Sequence, residues 1–180
     1  MTMNFKLSRK RRRLGLGILI IVLILVPVWL SQRGFQLRQG PAKLYFSSPY
    51  TEVLPNQVFT VDLRVDTNFQ AINAVQAHLQ LDPKKLTIVN MTTNKSFCTL
   101  YTENSFDPSK GTVNIACGAP HPGFQGDSLV VSLSVRAKAA GSATIKADPQ
   151  SAQVLADDGK GTNLLGSQSA YSVYIKQATY

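Results

Sequence analysis

Few residues of this 180-residue chain have the types and spacing that catalysis requires. The two histidines lie far apart in the sequence: His78 is in an alternating apolar and polar segment, and His121 lies between two prolines. No serine occupies a nucleophile-elbow motif, and no pair of carboxylates stands out from the scattered acidic residues. An active site usually combines a nucleophile, a base and a stabilising donor. The sequence therefore predicts a protein that is not an enzyme and needs no cofactor.

One loop contains oxygen ligands that could hold a hard cation. In the segment DDGKGTN, Asp157, Asp158 and Asn163 are candidates for calcium ligands. Their spacing lacks the D-x-[DN]-x-[DN]-G pattern of an EF-hand loop. Because Asp, Asn and Gly are also the ordinary residues of turns, we expect a plain turn and no metal.

The two cysteines, Cys98 and Cys117, both fall on candidate strands. Alternation places Cys98 on the inward side with Leu100, and Cys117 on the inward side with Val113 and Ile115. In an oxidising compartment such a pair forms a disulfide, whereas two buried free thiols are the alternative. Two cysteines without matched histidines fall short of a structural zinc site.

The positive charge of the chain is concentrated at its N-terminus. Eight of the 19 Lys and Arg residues lie in the first 40 positions, which contain no acidic residue, and the remaining positions carry 11 basic and 10 acidic residues. A nucleic-acid-binding domain spreads basic residues over its folded surface. The sequence therefore argues against a nucleic-acid partner.

An apolar segment follows the basic run. Residues 14–30 have no charged or polar side chain, and the uncharged run extends to residue 32. As a helix this segment would span about 25–29 Å, close to the thickness of a bilayer core. The basic residues before it place the N-terminus in the cytoplasm. A cleaved signal peptide is the alternative, but its apolar region is usually shorter and ends in a small-x-small site, which is absent here.

These observations predict four regions and a location. Residues 1–13 are a basic cytoplasmic tail, 14–32 a transmembrane signal anchor, 33–41 a linker and 42–180 an extracytoplasmic domain at the cell membrane.

Within residues 42–180, short segments alternate apolar and polar side chains and are separated by turn residues. This spacing is typical of an all-β sandwich or barrel, and we expect a jelly-roll-like antiparallel sandwich. The clearest segments are QVFTVDLRVD, AVQAHLQLDP and SLVVSLSVRAK. Their inward residues are expected to be Phe59, Val61, Leu63, Val65, Val75, Ala77, Leu79, Leu81, Leu129, Val131, Leu133, Val135 and Ala137.

The order of these segments resembles a cohesin domain. The blocks that carry the resemblance are FTVDLRVD, then INAVQAHLQLDPKKLTIV, in which Asp-Pro closes a strand, and later GTVNIACGAPHPGFQGDSLVVSLSVRAKAAGSATI and ADDGKGTNLL. The resemblance covers nearly all of residues 42–176. It implies a nine-stranded antiparallel jelly-roll sandwich, similar to carbohydrate-binding modules, that binds dockerin modules of polysaccharide-degrading enzymes through one flat sheet face.

The resemblance also indicates where to look for this face. Cohesins contact dockerin through an Asn and an Asp on the strand closed by Asp-Pro. In this sequence those positions are Ala74 and Gln76, which differ from the family pattern. A solvated sheet face without a ligand is the alternative. The candidate partner-binding residues are Gln76, His78 and Gln80, with Thr112, Asn114, Ser132 and Ser134 on strands expected to neighbour them, and Phe124 as an apolar anchor or a plug for the end of the sandwich.

The sequence thus predicts a membrane-anchored binding module that attaches a dockerin-like protein module or a polysaccharide at the cell surface. The absence of aromatic residues from the expected outward positions favours the protein partner. The alternative is a structural β-sandwich protein of the cell envelope without either ligand.

Overall fold

The computed structural model describes residues 40–177, which form twelve strands joined by loops and turns and contain no helix. The prediction of an all-β sandwich is confirmed. The strands are β1 (Ala42–Ser47), β2 (Glu52–Val53), β3 (Val58–Asp66), β4 (Ile72–Leu81), β5 (Leu86–Thr92), β6 (Leu100–Asp107), β7 (Thr112–Gly118), β8 (Asp127–Ala137), β9 (Gly141–Ala147), β10 (Gln153–Ala156), β11 (Leu165–Gln168) and β12 (Ala170–Ile175).

The predicted tail and anchor lie outside the described residues, as does the linker up to residue 39. In the range 40–177, no helix is long and apolar enough to cross a membrane.

The strands form two sheets. The first has the order β11-β1-β3-β8-β5, and the second has the order β2-β12-β9-β4-β7-β6, with β10 paired to β4. Most pairs are antiparallel, but β11 pairs with β1 and β2 pairs with β12 in parallel. The predicted count of nine strands and the purely antiparallel arrangement are therefore wrong. Strands β2 and β11 have no signal of their own in the sequence, because a two-residue segment and the sequence LGSQ show no alternation of apolar and polar side chains.

Alternation on the long strands builds the core between the sheets. Every inward residue predicted on β3 and β4 is at most 3% exposed. On β8 the pattern is interrupted by a bulge, since Leu63 pairs with Val131 and Arg64 pairs with Leu129. The extra residue, Val130, is therefore buried beside Val131, whereas Leu129 is only half-buried.

A tight turn joins β6 to β7. The Asp107 carboxylate accepts hydrogen bonds from the Ser109 hydroxyl and from the backbone N–H groups of Ser109 and Lys110, and these bonds lower the pKa of Asp107. Gly111 closes the turn with φ +67°, and its N–H donates to the Asp107 carbonyl at 2.9 Å. This turn fixes the register of the two strands that carry part of the candidate site.

Candidate partner-binding face

The outward face of β4 and β7 brings five of the predicted residues together. In the antiparallel register of these strands, Gln80 lies opposite Thr112 and His78 lies opposite Asn114, while Gln76 lies opposite Ala116. All five predicted residues are half-buried or exposed, because their neighbours in the sequence point into the core. Their role in binding stays a prediction.

The other three predicted residues lie elsewhere. Ser132 and Ser134 are on β8, in the first sheet, where they pair with Asp62 and Thr60 of β3. The expectation that their strand neighbours β4 is wrong, because alternation shows which side chains point inward but not which sheet a strand joins. Phe124 stacks on Phe97 with ring centroids 4.9 Å apart and packs against the core, as a plug for the end of the sandwich would.

An exposed apolar patch lies beside the polar residues on the same face. Leu100 of β6 is 67% exposed and lies opposite Gly118 of β7. Across β7, Gly118 pairs with Ala74, which in turn pairs with Leu155 of β10. Two shallow depressions, of about 500 and 250 Å³, adjoin Leu100. We call this surface the Leu100 patch, and it consists of Ala74, Leu100, Ala116, Gly118 and Leu155.

The small residues of this patch create its shape. Where β4 and β7 carry alanine or glycine, no side chain fills the space beside the projecting Leu100, so a depression results. A methyl group on Gly118 would lie 2.8 Å from the carbonyl oxygen of Asn73. The glycine is therefore needed for the close approach of the two backbones.

The disulfide holds the start of β6 in place. Cys98 and Cys117 are bonded, with their Cα atoms 5.7 Å apart. Cys98 is buried but lies in the loop at residues 93–99, not on a strand as predicted, and Leu100 points outward, not inward. The prediction failed because it extended one strand through this loop, whereas β6 begins at Leu100. Thr99 then donates its N–H to the Gly118 carbonyl at 2.9 Å, which sets the position of Leu100.

Polar groups border the Leu100 patch on β4 and β6. His78 Nε2 lies 2.9 Å from Glu103 Oε2, with both side chains more than a third exposed. Solvent screening limits such a pair to between about 0 and 1 kcal/mol of stability. The pair matters for its position, because it places a carboxylate and an imidazole next to the Leu100 patch. Sequence reasoning missed Glu103 because the sequence of β6, LYTENSFD, shows almost no alternation of apolar and polar side chains.

The outward face of the first sheet is organised differently. Asp127 accepts hydrogen bonds from Arg64 and from the Tyr45 hydroxyl, including one from Arg64 Nε at 2.9 Å. Hydrogen bonding to Asp127 raises the pKa of Arg64, and burial raises the pKa of Tyr45. These groups satisfy one another across three strands, so this part of the first sheet offers fewer free polar groups to a ligand.

The predicted calcium candidates hold the loop at residues 157–163. Asp157 Oδ2 lies 2.7 Å from His121 Nδ1, and Asp158 accepts hydrogen bonds from the Thr162 hydroxyl and the Lys160 N–H. Asn163 Oδ1 accepts from the N–H groups of Val154 and Leu165, each at 3.1 Å. Across residues 40–177, no three His, Cys, Asp or Glu side chains are grouped as a metal site would require.

Comparison with known proteins gives no match to a family model and none to a curated protein sequence. Solved structures do match. The solution structure of CaCohA2 from Clostridium acetobutylicum has a TM-score of 0.63 at 14% identity, and the match covers 77% of this chain and 93% of that one. The third cohesin of ScaC from Acetivibrio cellulolyticus, solved in complex with the ScaB dockerin, has a TM-score of 0.60 at 13% identity, covering 74% and 98%. The cohesin module of a family 33 glycoside hydrolase from Clostridium perfringens has a TM-score of 0.60 at 17% identity, covering 76% and 97%. The described part of this chain therefore has a cohesin-like fold.

Proposed function

We propose that this chain is a non-catalytic binding module that takes a protein partner of the dockerin type on the outward face of β4, β7 and β6. The observation that carries the proposal is the Leu100 patch, where a leucine exposed to 67% adjoins two shallow depressions. Protein interfaces commonly combine an apolar centre with a polar rim. The cohesin-like fold supports the same class of partner, since similar structures were solved with dockerins bound.

The composition of the patch specifies the partner further. Because Ala74 and Gln76 stand where cohesins carry Asn and Asp, the partner cannot rely on those two polar contacts. It needs an apolar side chain for the depressions beside Leu100, and donors for Glu103 at the edge of the patch. A short amphipathic helix with a basic residue at its margin would meet both requirements.

The proposal places this module outside the cell. The anchor at residues 14–32 would hold it at the membrane, and the basic tail would stay in the cytoplasm. The disulfide between Cys98 and Cys117 suits an oxidising compartment. A partner that carries a polysaccharide-degrading enzyme would couple the cell surface to that activity.

Leu100→Asp is expected to weaken binding of a dockerin-type module at least tenfold, because it places a charge in the apolar centre of the interface. The full-length chain in a nonionic detergent would be immobilised, and a panel of calcium-loaded dockerin modules would be passed over it in biolayer interferometry. Any module that binds the wild type is then measured against the variant.

Val89→Asp is the matched control. Val89 is 44% exposed and lies on β5 of the first sheet, so the same type of substitution is made on the opposite side of the sandwich. We expect this variant to bind like the wild type. Equal loss in both variants, or no loss in Leu100→Asp, would exclude the Leu100 patch as the binding site.

A structural role in envelope assembly is the second candidate, and the geometry of β6 favours it. Among the strands that the structure describes, β6 pairs only with β7 and lies at the edge of its sheet, and Phe106 on this strand is 36% exposed. Edge strands with free backbone groups can pair with another chain. Light scattering across a hundredfold range of concentration distinguishes the candidates, since an assembly protein would self-associate and a ligand-binding module would stay monomeric.

A further inference from the structure

A third depression lies on the outward face of the same sheet, beside β9 and near the end of β4 that is farther from Ala74 of the Leu100 patch. Strand β4 pairs with β9 only from Leu79 to Leu81, and the chain then turns away at Asp82 and Pro83. The turn and β9 enclose a depression of about 640 Å³. It is lined by Gln80, Asp82, Lys85, Ser142, Thr144 and Lys146, together with parts of Leu81, Pro83 and Ala143.

Positive charge dominates this depression. Lys146 projects outward from β9, and Lys85 reaches across from the turn to donate to the Ser142 carbonyl at 2.7 Å. Asp82 is the acidic residue among the lining residues, and its Oδ1 already accepts the Lys84 N–H at 2.9 Å. The lining therefore carries two ammonium groups, of which that of Lys85 is engaged with the Ser142 carbonyl, and one carboxylate, which leaves a net positive charge. The charge suits an anionic ligand.

An aromatic ring flanks the depression on its other side. Tyr174 of β12 is 49% exposed and lies directly opposite Ser142 in the β12–β9 register. Side chains opposite each other on one face of an antiparallel pair have their Cβ atoms about 5 Å apart. One row further along, the hydroxyls of Thr144 and Ser172 lie 3.2 Å apart and also point outward. The ring, the hydroxyls and the ammonium groups thus lie on the same side of the sheet, on what we call the Tyr174 surface: Lys85, Ser142, Thr144, Lys146, Ser172 and Tyr174. On the other side of the ring, Glu52 of β2 lies opposite Tyr174, and its Oε2 is 2.8 Å from Lys176 Nζ.

We propose that the Tyr174 surface binds an acidic polysaccharide of the uronic acid type. The electron-rich face of the tyrosine ring suits the weakly positive C–H groups of a pyranose ring. The Ser and Thr hydroxyls suit sugar hydroxyls, and the two lysines suit the carboxylates. A peptide ligand would instead be expected to use the free edge of a strand or an apolar groove, neither of which defines this surface.

This proposal gives the polysaccharide that the sequence predicts as an alternative ligand a site and a chemical class. It does not depend on the protein partner, because the two surfaces share no residue. If no dockerin-type module binds, the proposal for the Tyr174 surface is unaffected. If no acidic polysaccharide binds, the proposal for the Leu100 patch is unaffected.

Polygalacturonate binding by the full-length chain in nonionic detergent tests the proposal. Affinity electrophoresis through gels that contain polygalacturonate is expected to retard the wild type. Retardation should be much weaker with the methyl-esterified polymer, which has the same backbone without its charge, and should fall as salt rises from about 0.1 M to 1 M. Tyr174→Ala and Lys146→Met are each expected to weaken binding by about three- to tenfold.

Two matched variants separate the proposed site from general charge effects. Lys160→Met removes the same charge from the exposed loop at residues 157–163, and Tyr174→Phe keeps the ring, so both should bind like the wild type. The proposal is overturned if Lys160→Met weakens binding as much as Lys146→Met does. It is also overturned if polyglutamate, an acidic peptide, is bound as tightly as the polysaccharide, or if Tyr174→Ala has no effect.

Discussion

Gly111→Ala is expected to lower the free energy of unfolding by about 3 kcal/mol. Gly111 has φ +67°, a conformation that costs a side-chain-bearing residue about 1–2 kcal/mol. A Cβ at this position would also lie 2.4 Å from the Leu81 carbonyl oxygen, which accepts no such contact without a backbone shift. Leu81 ends β4 and is joined to the turn by its N–H, which donates to the Gly111 carbonyl at 2.9 Å. Guanidinium-induced unfolding followed by circular dichroism would measure the loss.

Gly159→Ala is the control for this prediction. Gly159 also has φ +67°, but a Cβ there would meet no atom within 4 Å. Its substitution therefore carries the conformational cost alone, about 1 kcal/mol. The difference between the two variants isolates the contact with Leu81. Equal losses would show that the backbone at β4 moves aside without cost, and that the turn does not constrain the face as argued.

Replacing both cysteines by alanine is expected to lower the free energy of unfolding by about 3 kcal/mol under oxidising conditions. The bond between Cys98 and Cys117 spans 19 positions, and closing a loop of this size restricts the unfolded chain by about that amount. Both residues are buried, at 7% and 5% exposure, so alanine avoids burying a new polar group. Denaturant unfolding with and without a reductant provides the measurement.

The reductant supplies an internal control. The wild type should lose stability when its disulfide is reduced, and the double alanine variant should not respond. A wild type whose stability is indifferent to reduction would contradict the prediction. Leu100 lies two positions after Cys98, so loss of the disulfide should also affect the position of Leu100. We therefore expect the double variant to bind a dockerin-type partner more weakly than the wild type even under conditions in which the variant is fully folded.

How much of the fold the sequence predicts depends on the length of the strand. Strands β3, β4 and β8 are nine or more residues long and alternate over most of their length, so their inward faces could be assigned correctly apart from the bulge at Val130. The number of strands could not be predicted, because β2 and β11 are held by pairing with β12 and β1 and not by a pattern of their own.

The candidate site was only partly predictable, because alternation shows which residues of one strand share a face but not which strands are neighbours. Gln76, His78 and Gln80 lie at alternate positions of one strand, β4, so alternation places their side chains on the same face. Assigning Ser132 and Ser134 to the same face required knowing which strands pair, and pairing depends on contacts distant in sequence. Leu100 was placed inward because alternation was counted from Cys98 along one strand, whereas Cys98 lies in a loop and β6, which begins at Leu100, exposes this leucine to solvent.

Strand β4 has hydrogen-bonded neighbours along both of its edges. It pairs with β7 from Ala74 to Gln80, and its other edge is shared by β10 at one end and β9 at the other. Between β9 and β10, the backbone carbonyl oxygen of His78 accepts a hydrogen bond from the Asp148 N–H at 2.8 Å. A strand bonded in this way opens only with the whole sandwich. The part of the Leu100 patch that lies on β4, at Ala74, therefore has a backbone that is ordered before any ligand arrives, so binding there loses little conformational entropy and its strength depends on side-chain contacts.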